Sequence, residues 1–163
     1  MSLVEFQEAN VPADVDELLD FDCRIFAQFP DDLFTAEEWH RYHTYWMLVD
    51  GIKIGCCALE WHTDFDETPR KGFLYLASTG ILPEYQGKGF GRRQKEWQIE
   101  YACNNGFSLV VTNMRESNYR IIRLNGALGF KFREKVTNYY AAPVEAAIVM
   151  ELSIPIQASS RTP

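Results

Sequence analysis

The chain is short of everything that would mark a metalloprotein, a membrane protein or a nucleic-acid binder. Its four cysteines, Cys23, Cys56, Cys57 and Cys103, have no metal-ligand spacing. Cys56 and Cys57 are adjacent, so on a strand they face opposite sides and read as small reduced core residues. The three histidines, His40, His43 and His62, are too few and too scattered for a metal site; His40 and His43 share a face of one expected helix but lack a third ligand. No apolar run approaches the ~20 residues that span a bilayer. Met1 to Phe6 has no basic region or signal-like core, which leads us to expect a cytoplasmic protein. Acids outnumber bases, 23 Asp and Glu against 16 Lys and Arg, for a net charge of −7. That excludes a general nucleic-acid binder. It is compatible with drawing a cationic amine to an acidic mouth, and equally with plain solubility. There is no internal repeat and no low-complexity linker.

What is present is enough for one globular domain. The 163 residues are 47% hydrophobic and 14% aromatic. We expect the domain over residues 1–156 and a mobile tail over 157–163. Leu3 to Glu8 alternates as a first strand. Pro12 opens a helix with Asp14, Asp16 and Glu17 in its first turn, and Pro30-Asp31-Asp32 breaks it. Thr35 to Glu38 forms a capping box for a short helix reaching about His43. Tyr45–Val49, Asp50-Gly51 and Ile52–Trp61 read as a hairpin. His62 to Lys71 reads as a polar loop. The long central strand is Gly72–Leu82, followed by a helix to Asn104, a strand over Leu109–Asn113 and a helix. Two last strands, Phe130–Tyr140 and Ala146–Ile154, flank Pro143. The fold class is α/β: a mixed sheet of about seven strands with about four helices. The central strand and Leu109–Asn113 should be parallel through a right-handed helical crossover.

The densest signal is Gln86-Gly87-Lys88-Gly89-Phe90-Gly91, set between the central strand and the next helix. Glycines let backbone approach a ligand closely. The free N–H groups of a helix's first turn, with the dipole behind them, then point at a negative group. The physical reading is a phosphate or pyrophosphate cradle. Spacing narrows it. Gly91 is followed by Arg92, so the G-x-x-x-x-G-K-[ST] string is absent. The glycines run G-x-G-x-G, not the dinucleotide G-x-G-x-x-G. A Walker-type or dinucleotide-binding protein is disfavoured accordingly.

Gln86, Gly89 and Gly91 do meet Q-x-x-G-x-G, after a hydrophobic strand closed by Pro83. This resembles the acyl-CoA pyrophosphate loop of the GNAT superfamily of N-acyltransferases. A second block follows 27 residues on (118 minus 91): Asn118, then Ile121, Leu124 and Leu128 at helical spacing, then Gly129-Phe130. It resembles the other hallmark of that family, and its physics is legible. Asn118 is a good N-cap and Gly129 suits the left-handed position that ends a helix.

The resemblance implies an N-acetyltransferase that moves an acetyl group from acetyl-CoA to a primary amine by direct attack. It implies no metal, a monomer or homodimer, and no nucleic-acid or membrane partner. It implies that the two parallel strands splay, between Ser78–Leu82 and Val110–Asn113, with pantetheine in the gap. The residues it assigns to acetyl-CoA are the backbone of Ile81 and Leu82, then Gln86, Gly87, Lys88, Gly89, Phe90, Gly91 and Arg92, and Asn118. For the oxyanion we expect a backbone N–H in the irregular centre of the long strand around Ser78–Gly80, where Gly80 hints at a bulge or close approach. For the base we single out Glu60, with Tyr75 and His62 behind it. The aromatic and acidic stretches 26–46 and 62–71 would contact the acceptor, which is either a small amine or a protein or peptide amine; Arg115 to Asn118 also resembles the string of N-terminal peptide acetyltransferases.

The chain departs from the family pattern at one place. Where L-Y-x-x-x-G-F often carries a thiolate-protonating Tyr, this chain has Asn125. An amide has no useful acid–base pKa but can hydrogen-bond the sulfur. That substitution keeps a second reading open, a catalytically idle acyl-CoA-binding module.

Overall fold

Asp50 and Gly51 both have positive φ, 51° and 81°, and so close a two-residue hairpin between β2, His43–Val49, and β3, Ile52–Thr63. This hairpin lies within the sheet of the computed structural model, which describes residues 2–155. Residues 157–163, expected as a tail, lie outside the described residues. β1, Val4–Glu8, pairs antiparallel with β2, and β4, Pro69–Ile81, pairs antiparallel with β3. β5, Leu109–Arg115, is parallel to β4. β6, Lys131–Ala141, and β7, Val144–Ser153, form the far hairpin, with β7 inserted next to β5. The order across the seven strands is β1-β2-β3-β4-β5-β7-β6.

Four helices cover the two faces. α1, Val11–Ile25, and α2, Ala36–Arg41, cover one. Leu18, Phe21 and Trp39 pack there on Trp46, Cys56 and Ala58. α3, Phe90–Asn104, and α4, Tyr119–Ala127, cover the other. Tyr101 and Ala102 pack there with Cys57, Leu59, Leu74 and Leu76. Cys56 and Cys57 therefore do face opposite layers.

Three boundaries differ from expectation. α2 stops at Arg41, so His43 is a strand residue stacked on Trp61, centroids 4.7 Å apart, and shares no helix face with His40. The expected polar loop 62–71 is mostly strand, because Thr63 pairs with Pro69 and only 64–68 turn. Its charges are satisfied in place. Asp64 takes a two-pronged bond from Arg133, at 2.6 and 2.8 Å, and another from Arg70 at 2.8 Å. Charge alone made a strand end look like a loop. The third difference sits in β4. Ala58 pairs with Ser78 and Leu59 with Leu76, leaving Ala77 as the extra residue of a bulge. Gly80 is regularly paired with Cys56. It is a close approach instead: a Cβ there would lie 2.5 Å from Cγ2 of Ile25.

β4 and β5 pair only at Phe73–Leu109, Leu74–Val110 and Tyr75–Val111. Beyond that they part. The opening therefore starts at Leu76 and Thr112, and Val110 and Val111 belong to the paired segment, not to the gap.

Candidate active site

The cradle is built by two left-handed glycines. Gly87 and Gly89 have φ of 76° and 86°, and Gly89 is the N-cap of α3. Residues with a Cβ resist that conformation. No side chain caps α3, and its first turn carries no acid. Its leading N–H groups are thus left for a ligand anion. A Cβ added at Gly87, Gly89 or Gly91 would meet nothing within 4 Å. Gln86 anchors the loop by donating from Nε2 to the Ile81 carbonyl at 2.8 Å.

The cradle opens into a cavity of about 1300 Å³. The cavity runs from Gln86, Gly87, Gly89, Gly91 and Arg92 along the gap, between Leu76–Ile81 and Thr112–Arg115, to a rim on the α1–α2 side. Asn118 lines it while its Oδ1 accepts from the Ile121 N–H at 3.4 Å, so it caps α4 and faces the cavity. Three residues assigned by resemblance do not line it. Lys88 lies over the Tyr85 ring at 5.7 Å, Phe90 packs in an apolar cluster, and the Leu82 N–H donates to Ile54 at 2.8 Å. Ile81 does line it.

The rim is acidic and aromatic: Phe26, Phe29, Phe34 and Tyr42 with Asp31, Asp32, Glu38, Asp66 and Glu67. Stretches 26–46 and 62–71 both contribute, as expected. Reading the sequence missed β6, which adds Val136, Tyr139 and Tyr140. It also missed the hub of the rim, Arg115, which is only 4% exposed. Its guanidinium meets Glu145 at 3.3 Å, Asp32 at 3.4 Å and Asp31 at 4.0 Å. It donates to the Pro143 carbonyl at 3.0 Å and lies against the Phe29 and Tyr140 rings. Behind it, the Tyr75 hydroxyl donates to Asn113 Oδ1 at 2.6 Å, and Asn113 Nδ2 donates to the Tyr140 hydroxyl at 2.9 Å. Burial holds the Tyr75 phenol well above its usual range, so it stays neutral.

The catalytic candidates scatter. Gly80 lines the cavity. Glu60 stands behind the wall on the rim side, opposite Tyr75 in the strand register; burial raises its carboxyl while Arg41 pulls it down. His62 accepts from the Gly72 N–H at 3.0 Å and does not line the cavity. Asn125 is fully buried, neither of its amide atoms has a partner, and it does not line the cavity, although Ile121 and Leu124 beside it do. One residue that lines the cavity was not singled out at all: Lys95 on α3, 4% exposed. Burial lowers its pKa to about 8, against the opposing effect of the Cys57 thiol.

Comparison with known proteins assigns the family. The model of the Acetyltransferase (GNAT) family matches residues 13–130. The chain belongs to that family, whose members use acetyl-CoA. Among curated proteins it is 28% identical over 102 residues to a spermine/spermidine N(1)-acetyltransferase of Bacillus subtilis, covering 60% of this chain and 64% of that one. The match thus spans just under two-thirds of that relative. It is 30% identical over 111 residues to a mycothiol acetyltransferase of Kytococcus sedentarius, covering 68% of this chain and 36% of that one. Solved structures share the fold. The ribosomal-protein-S18-alanine N-acetyltransferase of Escherichia coli superposes with a TM-score of 0.77 at 21% identity, over 98% of each chain. A Salmonella typhimurium protein solved with its cofactor acetyl-CoA gives 0.72 at 19% identity, over 98% and 99%.

Proposed function

We propose that this chain is an N-acetyltransferase that carries an acetyl group from acetyl-CoA to a cationic primary amine. The observation that carries the reading is the continuity of the cavity, from an uncapped glycine cradle through the strand gap to an acidic rim. Acetyl-CoA, when bound, supplies the activated acetyl thioester. Gly87, Gly89 and Gly91 leave room for its pyrophosphate, and the N–H groups opening α3 hold it. Where β5 has left β4, alternate N–H groups of residues 77–81 face the gap with no ladder partner. They fit the pantetheine amides and, near the bulge and Gly80, the acetyl oxygen as it gains charge. Asn118 stands beside the arm.

The rim receives the amine. The acids clustered around Arg115 exceed its single charge, so the mouth stays negative. Aromatic faces beside them suit an alkylammonium. Such an amine, with a pKa near ~10.4, must shed a proton before it attacks. Glu60, off the cavity wall and opposite Tyr75 in the strand register, would have to take it through water. Polyamines of the spermidine class are the first acceptors to try, in line with the Bacillus relative.

The test is thiol release and acceptor mass on mixing acetyl-CoA with spermidine, spermine, simple alkylamines and peptides bearing a free N-terminus. Acetylation of a cationic amine supports the reading. Saturating acetyl-CoA must also raise Tm, since a ligand that binds only the folded state stabilises it by RT ln(1 + [L]/Kd). A Tm shift with no acceptor acetylated would return the chain to a binding module.

A further inference from the structure

Lys95 poses the question. Its side chain is 4% exposed and on the cavity wall. Among the described residues its ammonium has no hydrogen bond and no ion pair; its electrostatic partner is the Cys57 thiol across the α3–β3 interface. Side chains on a helix lean toward its N-terminus, which here means toward the cradle. Two helix neighbours are buried with it. Gln94 donates to Cys56 and Gly80 carbonyls at 3.1 and 3.4 Å, and Gln98 donates to Thr79 Oγ1 at 2.9 Å. The Oε1 atoms of both glutamines are left without partners. The α3 face beneath β3 and β4 is thus polar, and fastened to β4 on the side opposite the rim. An unpaired ammonium in such a place is costly unless a ligand meets it.

Among the described residues, β4 and β5 part above the cavity, in the gap where the thioester must sit if the proposed function holds, and this inference rests on that reading. Asn125 occupies the position from which a phenol would serve the leaving sulfur, and it stays buried off the cavity. We propose that Lys95 faces the sulfur of bound CoA from below and donates the proton to the departing thiolate. The amine nitrogen bonds the acetyl carbon, the carbon–sulfur bond breaks, and its electron pair stays on sulfur. The sulfur takes a proton from Lys95 Nζ. Lys95 is recharged through solvent by the proton that the acceptor loses, so no other reactant is needed. A pKa of about 8 is well matched to a thiol near ~8.5. Of the cavity-lining residues on β4, α3 and α4, Thr79, Ile121 and Leu124 do not titrate, and Arg92 and Arg120 are exposed.

The test does not require turnover. The thiol of bound CoA is titrated by its ultraviolet thiolate absorbance, against a desulfo-CoA complex, in the wild type, Lys95→Met and Lys95→Gln. In the wild type the bound thiol should ionise at least one pH unit below free CoA, and in both variants it should return to the free value. The kcat of the variants should fall about a hundredfold or more while acetyl-CoA affinity holds. The wild-type kcat should decline as pH rises through about 8, and the variants should lose that limb. Equal thiol titration in wild type and variants overturns the proposal, whatever the kinetics. Failure of CoA to bind overturns it together with the proposed function. A shifted thiol in a protein that acetylates no amine supports the placement of Lys95 and sinks the proposed function alone.

Discussion

Arg115 and Lys95 are both cations, both 4% exposed and both on the wall of one cavity, yet the fold treats them oppositely. Arg115, on the rim side, is enclosed by three carboxylates, two carbonyls and two aromatic rings. Lys95, on α3 beneath the sheet, has no ionic partner among the described residues. A buried charge with its hydrogen bonds filled is architecture. It ties β5 to the 30–32 turn and to the β6–β7 hairpin, and so shapes the mouth. A buried charge left unfilled is costly unless something arrives to meet it, which is the proposal made for Lys95.

The largest expected effect comes from breaking the filled site. Arg115→Met leaves Asp31, Asp32 and Glu145 facing each other without a counter-ion. We expect a clear loss of stability, read as a fall in Tm and in the denaturant midpoint, because the cation that ties these acids together is itself buried. Lys95→Met should do the reverse. It removes an unpaired charge, so stability should hold or rise while kcat falls. If the two substitutions cost similar stability, the contrast between the sites is gone.

The next prediction separates cradle from wall. Gly91 lies within α3 with ordinary helical backbone, lines the cavity, and has open space where a Cβ would go. Gly91→Glu therefore adds no backbone strain but aims a carboxylate at the anion site. Acetyl-CoA affinity should drop tenfold or more while Tm without ligand moves little. Unchanged affinity by calorimetry would remove the cradle from the account.

The smallest effect tests a buried acid in the same terms. Asp22 on α1 is 2% exposed, and burial raises its pKa to about 7, opposed by the Phe34 N–H it accepts at 2.6 Å. A raised pKa means that the folded state holds a proton the unfolded state releases. Its contribution is then full below about 4 and lost as pH rises through about 7. Asp22→Asn keeps an acceptor for Phe34 and should flatten that part of the Tm–pH curve. A wild-type curve with no decline between those values would contradict the assignment.

The parts legible in the sequence were those governed by local chemistry. The capping box at Thr35–Glu38, the Asp50-Gly51 turn, Asn118 as N-cap and Gly129 at φ 99° are each set by a few neighbouring residues. So were the element order and the glycine cradle. What escaped depends on distant partners. Asp64 made 62–71 look like a loop because Arg133 lies 69 residues away. Glu60 and Asn125 have chemically apt side chains, but strand register and helix roll, which a spacing argument does not fix, keep them off the cavity wall. Lys95 could have been noticed. Gln94, Lys95 and Gln98 are polar where a helix packed on a sheet should be apolar, and that breach of patterning is the kind that marks a functional site.

The central claim is that an acyl donor and a cationic amine meet in this one cavity. The most direct measurement is the mass of spermidine after incubation with acetyl-CoA and the wild-type chain, with Gly91→Glu alongside. The account predicts a gain of one acetyl group with the wild type and strongly reduced product with the variant at the same acetyl-CoA concentration. Equal product from both proteins would contradict the cradle. No acetylation of spermidine or of any other amine in the panel by a wild-type protein that binds acetyl-CoA would contradict the transferase reading itself.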